Sequence, residues 1–527
     1  MDCYGRYAPV YHAGEKYAVI PCITLEEYHA SFRKGSSFMR VILIATLLQD
    51  YVNGVLSPIS MDATKTCPPY GIYHLATCLS EHGHEAFVID QIAQGTPDLR
   101  PHAALLATAD LIGIGTSSLS WPTARDCIAV LASSFPAVPI VLGGIHATMF
   151  DRYVLETTGA NFVVRGEGEV ALPVLCEAML GIKTYSDVPN LTYKLMSGKI
   201  VRNPSAGKIT AEQLSAYPLP DYGSVPFGAY YGLAIETSRG CPFDCIFCST
   251  AYRKTWRGIP AEVVVDRIEQ ATAFLPRTTG GVLQIIDDEF TTDTARTMRI
   301  CDLLNKRNLY PRLVYDARIN DLLGMELVCG LAPYTEQFLV GAECGYDQGL
   351  ATVGKRTTCA KMSSAAENLM RTGIAEKADF SFVIGFPWET KDEVMQTVRF
   401  AHHLHSSFGV RILLQWYCQI PGSRLWNEQR SKEIVHESLY DNYGFFRNHY
   451  LFRTGVRLKP SEIFDVQDVL ESIKAGSGKN RYGMPLVECS SPEAIIANYP
   501  RRKFDDNALA SLRETAGVFE NHHQPTL

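Results

Sequence analysis

Short apolar runs alternate with amphipathic helical stretches in two long arrays, and this alternation restricts the fold of the chain more than any other feature. From residue 37, "MRVILIATLL" reads as a buried strand, and "PPYGIYHLATCLSEHG" reads as a helix with Ile72, Leu75, Cys78 and Leu79 inward. "EAFVID", "ADLIGIGTSS", "VPIVLGG" and "ANFVVRGEGE" follow as strands, with helices near Pro122 and at "VALPVLCEAML". Apolar strands separated by helices imply a parallel, doubly wound sheet.

Residues 182–229 read as a connector, with hairpin character in "YSDVPNLTYKLMSGKIVRNPS" and then a stretch rich in Pro and Gly. The second array opens at "GLAIETS" and continues through "GVLQIID", "RLVYDAR", "EQFLVGAE", "DFSFVIG" and "RILLQWY". Six strand–helix units over 230–425 predict a partial (β/α) barrel. The tail, 426–527, is expected to be mixed or mainly α. It includes a helix from about Pro460 whose Ile463, Val466, Val469, Leu470 and Ile473 share one apolar face. Residues 1–36 read as an arm.

Ligands of doubly wound sheets bind at the carboxyl ends of the strands. Three loops lie there in the first array: "GTSSLSW" (115–121), "GGIHAT" (143–148) and "RGEGE" (165–169). Their glycines permit close backbone approach and their hydroxyls offer hydrogen bonds, as a nucleotide-like or tetrapyrrole ligand needs. Each loop alone is better read as ordinary strand-to-helix turn chemistry.

The second array carries a denser signal. "ETSRGCPFDCIFCSTAYRKTW" (236–256) places Cys241, Cys245 and Cys248 in one loop directly after a strand. Thiolates select zinc, copper or iron–sulfur clusters. A structural zinc site needs a fourth Cys or His, and the nearest later cysteine, Cys301, falls in a helical pattern, so zinc fits poorly. A cubic 4Fe–4S cluster held by three cysteines leaves one iron open to a small molecule.

This Cys-x3-Cys-x2-Cys loop, with Phe247 before its third cysteine, resembles that of the radical S-adenosylmethionine (SAM) superfamily. In that family the amino and carboxylate groups of SAM chelate the open iron, and electron transfer yields a 5′-deoxyadenosyl radical. "QIIDDEFTTD" (284–293) resembles the second-strand motif near the SAM amino group, which implicates Asp287 and Asp288. The alternative for both is a helix N-terminal turn favoured by the dipole. "VGAECGYDQGLATVGKRTT" (340–358) resembles the fourth-strand stretch and implicates Glu343; the family's usual Ser is Cys344 here. "FVIGFPWET" (382–390) and "QIPGSRLW" (419–426) match the fifth- and sixth-strand signatures, adding Gly385.

With that family in view, 37–181 resembles the cobalamin-binding, Rossmann-like domain that precedes the radical domain in one large subgroup. The resemblance implies corrin contacts from Thr116, Ser117, Ser118, Leu119, Gly143, Gly144, His146, Gly166 and Glu167. An Asp-x-His-x-x-Gly motif for a lower cobalt ligand is missing, and His146 is read as a hydrogen-bonding loop residue rather than a ligand. The implied chemistry is methylation of an unactivated carbon of a biosynthetic intermediate through a 5′-deoxyadenosyl radical and methylcobalamin. Cyclisation, ring rearrangement or oxidation with the same cofactors is the alternative. A methylthio-transferring enzyme would need a second cysteine triplet, and a purely regulatory cluster would need no SAM-binding motifs. An external one-electron reductant of flavodoxin or ferredoxin type is implied, with a small-molecule or peptide substrate. Tyr440, Tyr443, Phe445, Phe446, Tyr450 and Phe452 are candidates either to roof the cavity or to pack the tail on the barrel.

Net charge of −7 gives no basic field for nucleic acid, and the "YPRRKF" run at 499–504 reads as a solvated patch. The longest apolar run, "VILIATLL", is far short of the ~20 residues that span a bilayer. Scattered single cysteines and the absence of a secretory pattern point to a reducing, cytoplasmic setting.

Overall fold

Two seven-stranded sheets carry the molecule, each with its helices wrapped around it. The computed structural model describes residues 37–52, 55–58, 67–195, 197–443, 456–480, 483 and 485–489. The arm 1–36, the run at 499–504 and Phe445, Phe446, Tyr450 and Phe452 lie outside the described residues.

The first sheet comprises β1 (Arg40–Ala45), β2 (Glu85–Asp90), β3 (Leu111–Gly115), β4 (Ile140–Gly143), β5 (Phe162–Val164), β6 (Leu191–Lys194) and β7 (Ile200–Arg202). Their order is β2-β1-β3-β4-β5-β6-β7. The first five are parallel, and β1 pairs on one side with β2 and on the other with β3. The chain therefore reverses its direction of winding at β1/β3, where the crevice of such a sheet opens. The last two strands are an addition to the expected parallel sheet. β6 pairs antiparallel with both β5 and β7. The hairpin seen in the connector sequence is thus part of the first sheet, because a tight turn can join antiparallel neighbours without a helix.

The helix Tyr70–Glu81 also departs in detail from its sequence pattern. Tyr70, Tyr73, His74, Cys78 and Leu79 are buried, whereas Ile72 and Leu75 are only partly so. It is covered on two sides: Tyr73 joins the core of the second sheet, while Leu79 joins that of the first. The Tyr73 hydroxyl donates to Asp90 at 2.9 Å, and Tyr230, just before the second sheet, donates to the same carboxylate.

The second sheet runs in simple sequence order: β8 (Gly232–Ile235), β9 (Val282–Ile285), β10 (Arg312–Arg318), β11 (Thr335–Glu343), β12 (Ala378–Ile384), β13 (Arg411–Trp416) and β14 (Val487–Cys489). All neighbours are parallel, which gives the open barrel expected from six units plus a seventh strand from the tail. The helix Pro460–Gly476 precedes that strand, with Ile463, Val466 and Leu470 buried and Val469 and Ile473 packed beside them. Residues alternate across the barrel wall. Along β10, Leu313, Tyr315 and Ala317 are buried under helices, while Val314 and Asp316 face inward and stay accessible. Asp379 and Arg411, paired at 2.9 Å, lie lower on the neighbouring strands, at the β12 and β13 beginnings. Among the described residues no helix is long and apolar enough to cross a membrane.

Candidate active site

The cysteine loop leaves the carboxyl end of β8 and is tied at its base by two short antiparallel segments, Ser238–Arg239 and Arg257–Gly258. The Cys241 amide donates to the Tyr252 carbonyl and Thr255 N–H to the Cys241 carbonyl, both at 3.3 Å, so the loop folds back on itself. Its tip is held from outside. Ile246 N–H donates to Val353 at 3.1 Å, the Ile246 carbonyl accepts from Leu425 at 3.0 Å, and the Arg318 guanidinium lies 3.2 Å from the Phe243 ring centroid. Arg253 reaches the carbonyls of Cys248 and Gly422 at 3.0 and 2.9 Å. These ties leave the three sulfurs accessible to a ligand: Cys248 Sγ meets the neighbouring Thr250, the Phe243 backbone N–H approaches Cys241, and all three residues are partly exposed. Burial pushes the Cys241 thiol up to about 11 and raises Cys245, against the pull of Lys355. Ligation by a metal is what makes such thiols thiolates.

The acidic run after β9 supports this loop from below. Asp287 is buried, and it accepts from Thr237 N–H at 2.7 Å and from the Thr237 and Ser238 hydroxyls at 2.6 Å. Burial lifts it to about 6 despite these donors. Asp288 accepts from Gly240 N–H at 3.1 Å and Thr250 Oγ1 at 3.0 Å, and burial raises it too. Neither sits in a helix N-terminal turn; that place belongs to Asp293, which caps the helix Thr294–Lys306. Asp287 has both oxygens committed to the loop base, whereas Asp288 remains exposed on the rim.

Glu343 ends β11 at a register shift between Gly341 and Glu343, with φ of 68°. A non-glycine residue in the left-handed region at a bulge is turned off the strand's alternation, here toward the barrel mouth. Its carboxylate lies 2.9 Å from Lys355 Nζ, in an enclosed ion pair. Cys344 is fully buried, so the place of the family's usual serine is a core position here. Gly385 has φ of 77°, and its N–H is taken by Glu389 at 2.7 Å, in a turn that also binds Phe386 N–H and the Tyr346 hydroxyl. Phe247 packs on Phe386 at 5.9 Å, and Phe386 stacks on Trp388 at 4.8 Å. The indole N–H of Trp388 and the amide nitrogen of Gln419 are buried with no partner, at the ends of β12 and β13. Lys355, Glu289, Glu389 and Arg239 were not singled out in the sequence; Lys355 stood inside the motif that named Glu343.

At the mouth of the first sheet, several candidate side chains are engaged by the protein itself. Thr116 Oγ1 donates to the Gly143 carbonyl at 2.7 Å and accepts from Ala147 N–H at 3.1 Å. Ser117 pairs with Ser120 at the start of the helix Trp121–Ser134. His146 is wholly enclosed: Nδ1 meets Ser118 Oγ at 3.1 Å, the ring stacks on Trp121 at 4.5 Å, and Phe150 and Tyr440 close the other sides. Burial drives its basicity down to about 3, and Nε2 has no partner. His146 is thus a hydrogen-bonding loop residue whose ring is enclosed by its neighbours. What the mouth presents is Leu119, half exposed, with Gly143 partly exposed and Gly144 and Gly166 exposed.

The two mouths share a rim. Glu167 accepts from Arg239 at 3.0 Å and Arg257 at 2.6 Å through one oxygen, and from Ile209 N–H at 2.7 Å through the other. Glu169 accepts from Arg239 at 2.8 Å, and Glu236 holds the same guanidinium at 2.6 Å. Glu167, expected at the corrin, is instead the bracket between the loop after β5 and the base of the cysteine loop. Tyr440 packs in the first sheet's core while its hydroxyl donates to the Gln419 carbonyl after β13 at 3.0 Å, so it bridges the two sheets, and Tyr443 fastens the tail to the first sheet's side. Tyr443 donates to Asp126 at 2.8 Å, and the neighbouring Asp441 accepts from Trp121 Nε1 at 2.7 Å.

The donors fit the expected groups. One short loop offers three partly exposed thiols, a donor set that suits a 4Fe–4S cluster with one iron left open to a small molecule. The unpartnered N–H groups beside Phe247 suit a polar cofactor at the barrel rim, and the bare glycines and Leu119 suit a broad ring lying on the first sheet's edge.

Comparison with known proteins agrees in order and position. Residues 58–176 match the B12 binding domain model, and residues 235–401 match the radical SAM superfamily model. The chain is 27% identical over 374 residues to an uncharacterized methyltransferase of Pyrococcus horikoshii, covering 68% of this chain and 78% of the relative. It is 26% identical over 404 residues to the anaerobic magnesium-protoporphyrin IX monomethyl ester cyclase of Rubrivivax gelatinosus, covering 72% and 69%. The fold is that of the radical SAM methyltransferase TsrM from Kitasatospora setae, with a TM-score of 0.61, 19% identity and coverage of 75% and 76%. It is also that of the cobalamin-dependent SAM radical enzyme OxsB, with a TM-score of 0.60, 15% identity and coverage of 93% and 75%. With both domains present in this order around a shared rim, the chain belongs to the cobalamin-dependent radical S-adenosylmethionine enzymes.

Proposed function

We propose that the protein methylates an unactivated carbon of a small molecule lodged between the two mouths. The observation that carries this reading is the bracket of Glu167 and Glu169 on Arg239, which fastens the first sheet's ligand edge to the base of the cysteine loop. A reaction divided between two cofactors needs their sites held against each other within a fraction of an ångström. Together the cofactors supply a 5′-deoxyadenosyl radical and a methyl carrier.

In this reading Cys241, Cys245 and Cys248 hold the cluster. Asp288, Glu343, Phe247 and the Gly385 turn surround SAM, with Lys355 steadying Glu343 at 2.9 Å. Ser118, Leu119, Gly143, Gly144 and Gly166 would form the floor for the corrin, which would supply the methyl carrier. Asp287 acts through the loop: by binding Thr237 and Ser238 it fixes the strand end from which the cysteines depart. Electrons come from an external one-electron donor.

The test is anaerobic reconstitution with iron, sulfide and hydroxocobalamin, followed by turnover of cell extract metabolites with methyl-deuterated SAM. A product heavier by the labelled methyl is expected. The likeness to the magnesium-protoporphyrin ester cyclase favours a second reading, ring formation without methyl transfer. Unlabelled product formed together with 5′-deoxyadenosine would establish that one instead.

A further inference from the structure

At the tip of the cysteine loop the charge runs against the trend of the chain. The protein carries a net charge of −7, yet the carboxylate at this tip, Asp244, is ringed by cations. Lys254 Nζ lies 2.9 Å from it and Arg424 Nε 3.6 Å, and together with Arg253 they hold its carboxyl below the ordinary value. Arg356 belongs to the same group. Its segment leans on the loop, with the Val353 carbonyl accepting from Ile246 N–H at 3.1 Å. Gly354 stands so near that a Cβ placed on it would be 3.6 Å from the Asp244 carbonyl oxygen, the atom that Arg424 also holds at 2.8 Å.

Most of this positive charge faces solvent. The Lys254 and Arg424 side chains are 69% and 52% exposed, and Arg356 is exposed, its guanidinium without an ion pair among the described residues. Exposed ion pairs add little to stability, so bracing Asp244 does not account for the surplus. The backbone is unusual at two of these cations. Lys254 and Arg356 have φ of 59° and 56°, in the left-handed region that glycine and asparagine adopt most readily. Unfavoured conformations that persist in this way cluster where a surface has work to do. Close beneath lie Cys245, the next residue after Asp244, and the Cys248 carbonyl, which Arg253 binds at 3.0 Å. A positive patch on a negatively charged molecule draws an anionic partner to that spot and orients it there.

We propose that the tip formed by Asp244, Lys254, Arg356 and Arg424 is the docking surface for an acidic one-electron carrier protein. This rests on the function proposed above, in which an external donor serves the group held by the three cysteines. The step is the passage of one electron from the reduced carrier to that group, with no bond or proton exchanged.

The anaerobically reconstituted holoenzyme is titrated with a plant-type 2Fe–2S ferredoxin of net negative charge, with binding read by interferometry. Raising salt from about 20 to about 200 mM should weaken binding roughly tenfold. K254N/R356N, which keeps a residue suited to left-handed backbone at both positions, should weaken it at low salt by roughly tenfold as well. Iron content should be unchanged, and reduction by the methyl viologen radical cation, followed by electron paramagnetic resonance, should proceed at least as fast as in the wild type. R356N alone decides the matter if the double variant loses iron, because no ion pair is broken by it among the described residues. Binding indifferent to salt, binding untouched by these substitutions, or an equal loss of reduction by the viologen would each overturn the proposal. Tighter binding of duplex RNA than of the ferredoxin at the same salt would overturn it too. Docking that behaves as expected while labelled methyl never reaches product removes the methyl-transfer reading alone.

Discussion

The two mouths are built on the same rule, loops at the carboxyl ends of parallel strands, yet they treat their polar groups in opposite ways. At the barrel mouth the protein braces a loop from outside and leaves its reactive atoms accessible: Asp287 and Asp288 hold backbone and hydroxyls while the three cysteines stay partly exposed. At the first sheet, Thr116, Ser117 and His146 bind neighbouring loops, and the surface left over is glycine backbone and Leu119. In the function proposed above, one mouth would bind through bonds from side chains and the other by shape. Loss of a single atom should therefore be catastrophic at the first and modest at the second.

The sharpest break in that contrast comes from Cys245→Ala. It should abolish the cluster's visible absorbance and all 5′-deoxyadenosine formation, with cobalamin content retained, as read by spectra and product chromatography. If cobalamin were lost in step, the two mouths would not be separable. Next in size is Arg239→Met at the shared rim. It leaves Glu167, Glu169 and Glu236 enclosed around a missing charge, a situation that costs about 3–5 kcal/mol in comparable buried networks. Chemical denaturation should show that loss, and turnover of any accepted substrate should fall more than SAM cleavage without substrate.

His146→Ala measures the other mouth. It removes a ring stacked on Trp121 and should lower stability by about 1–3 kcal/mol, with cobalamin content and its absorption spectrum unchanged. A displaced cobalt band would instead make the histidine a ligand. The most gradual effect, spread over several pH units, concerns Glu289, lifted to about 8 by burial and by Asp321 from an ordinary value of 4.5. The native state holds this proton more tightly than the unfolded chain. Its contribution is therefore complete below the unfolded value and is lost as pH rises through about 8. Glu289→Gln should flatten the decline of the denaturation midpoint over that window, by at most about 1.4 kcal/mol per pH unit.

The arrays of strands were legible because period-two and period-3.6 patterns are written locally. The cysteine loop was legible because three thiols at that spacing have few other uses. What escaped was whatever depends on a partner far along the chain. Glu167 has the glycine neighbours of a ligand loop, and only the arrival of Arg239 and Arg257, 72 and 90 residues later, turns it into a bracket. His146 reads as a loop residue until Tyr440 covers it. β6 and β7 were visible as a hairpin but carried no mark of the sheet they would join, because edge pairing is set by geometry and not by composition.

The tail strand Val487–Cys489 has a consequence for how the protein is made. Until it arrives, β13 is a bare sheet edge, and Arg411 lacks two of its acceptors, the Pro485 carbonyl at 3.0 Å and the Glu488 carboxylate. A ribosome must therefore deliver some seventy residues beyond Trp416 before that edge is covered. Nascent or truncated chains ending in that interval would carry a sticky template for self-association, so expression yield should depend on chaperone capacity and fall abruptly for products ending before residue 485.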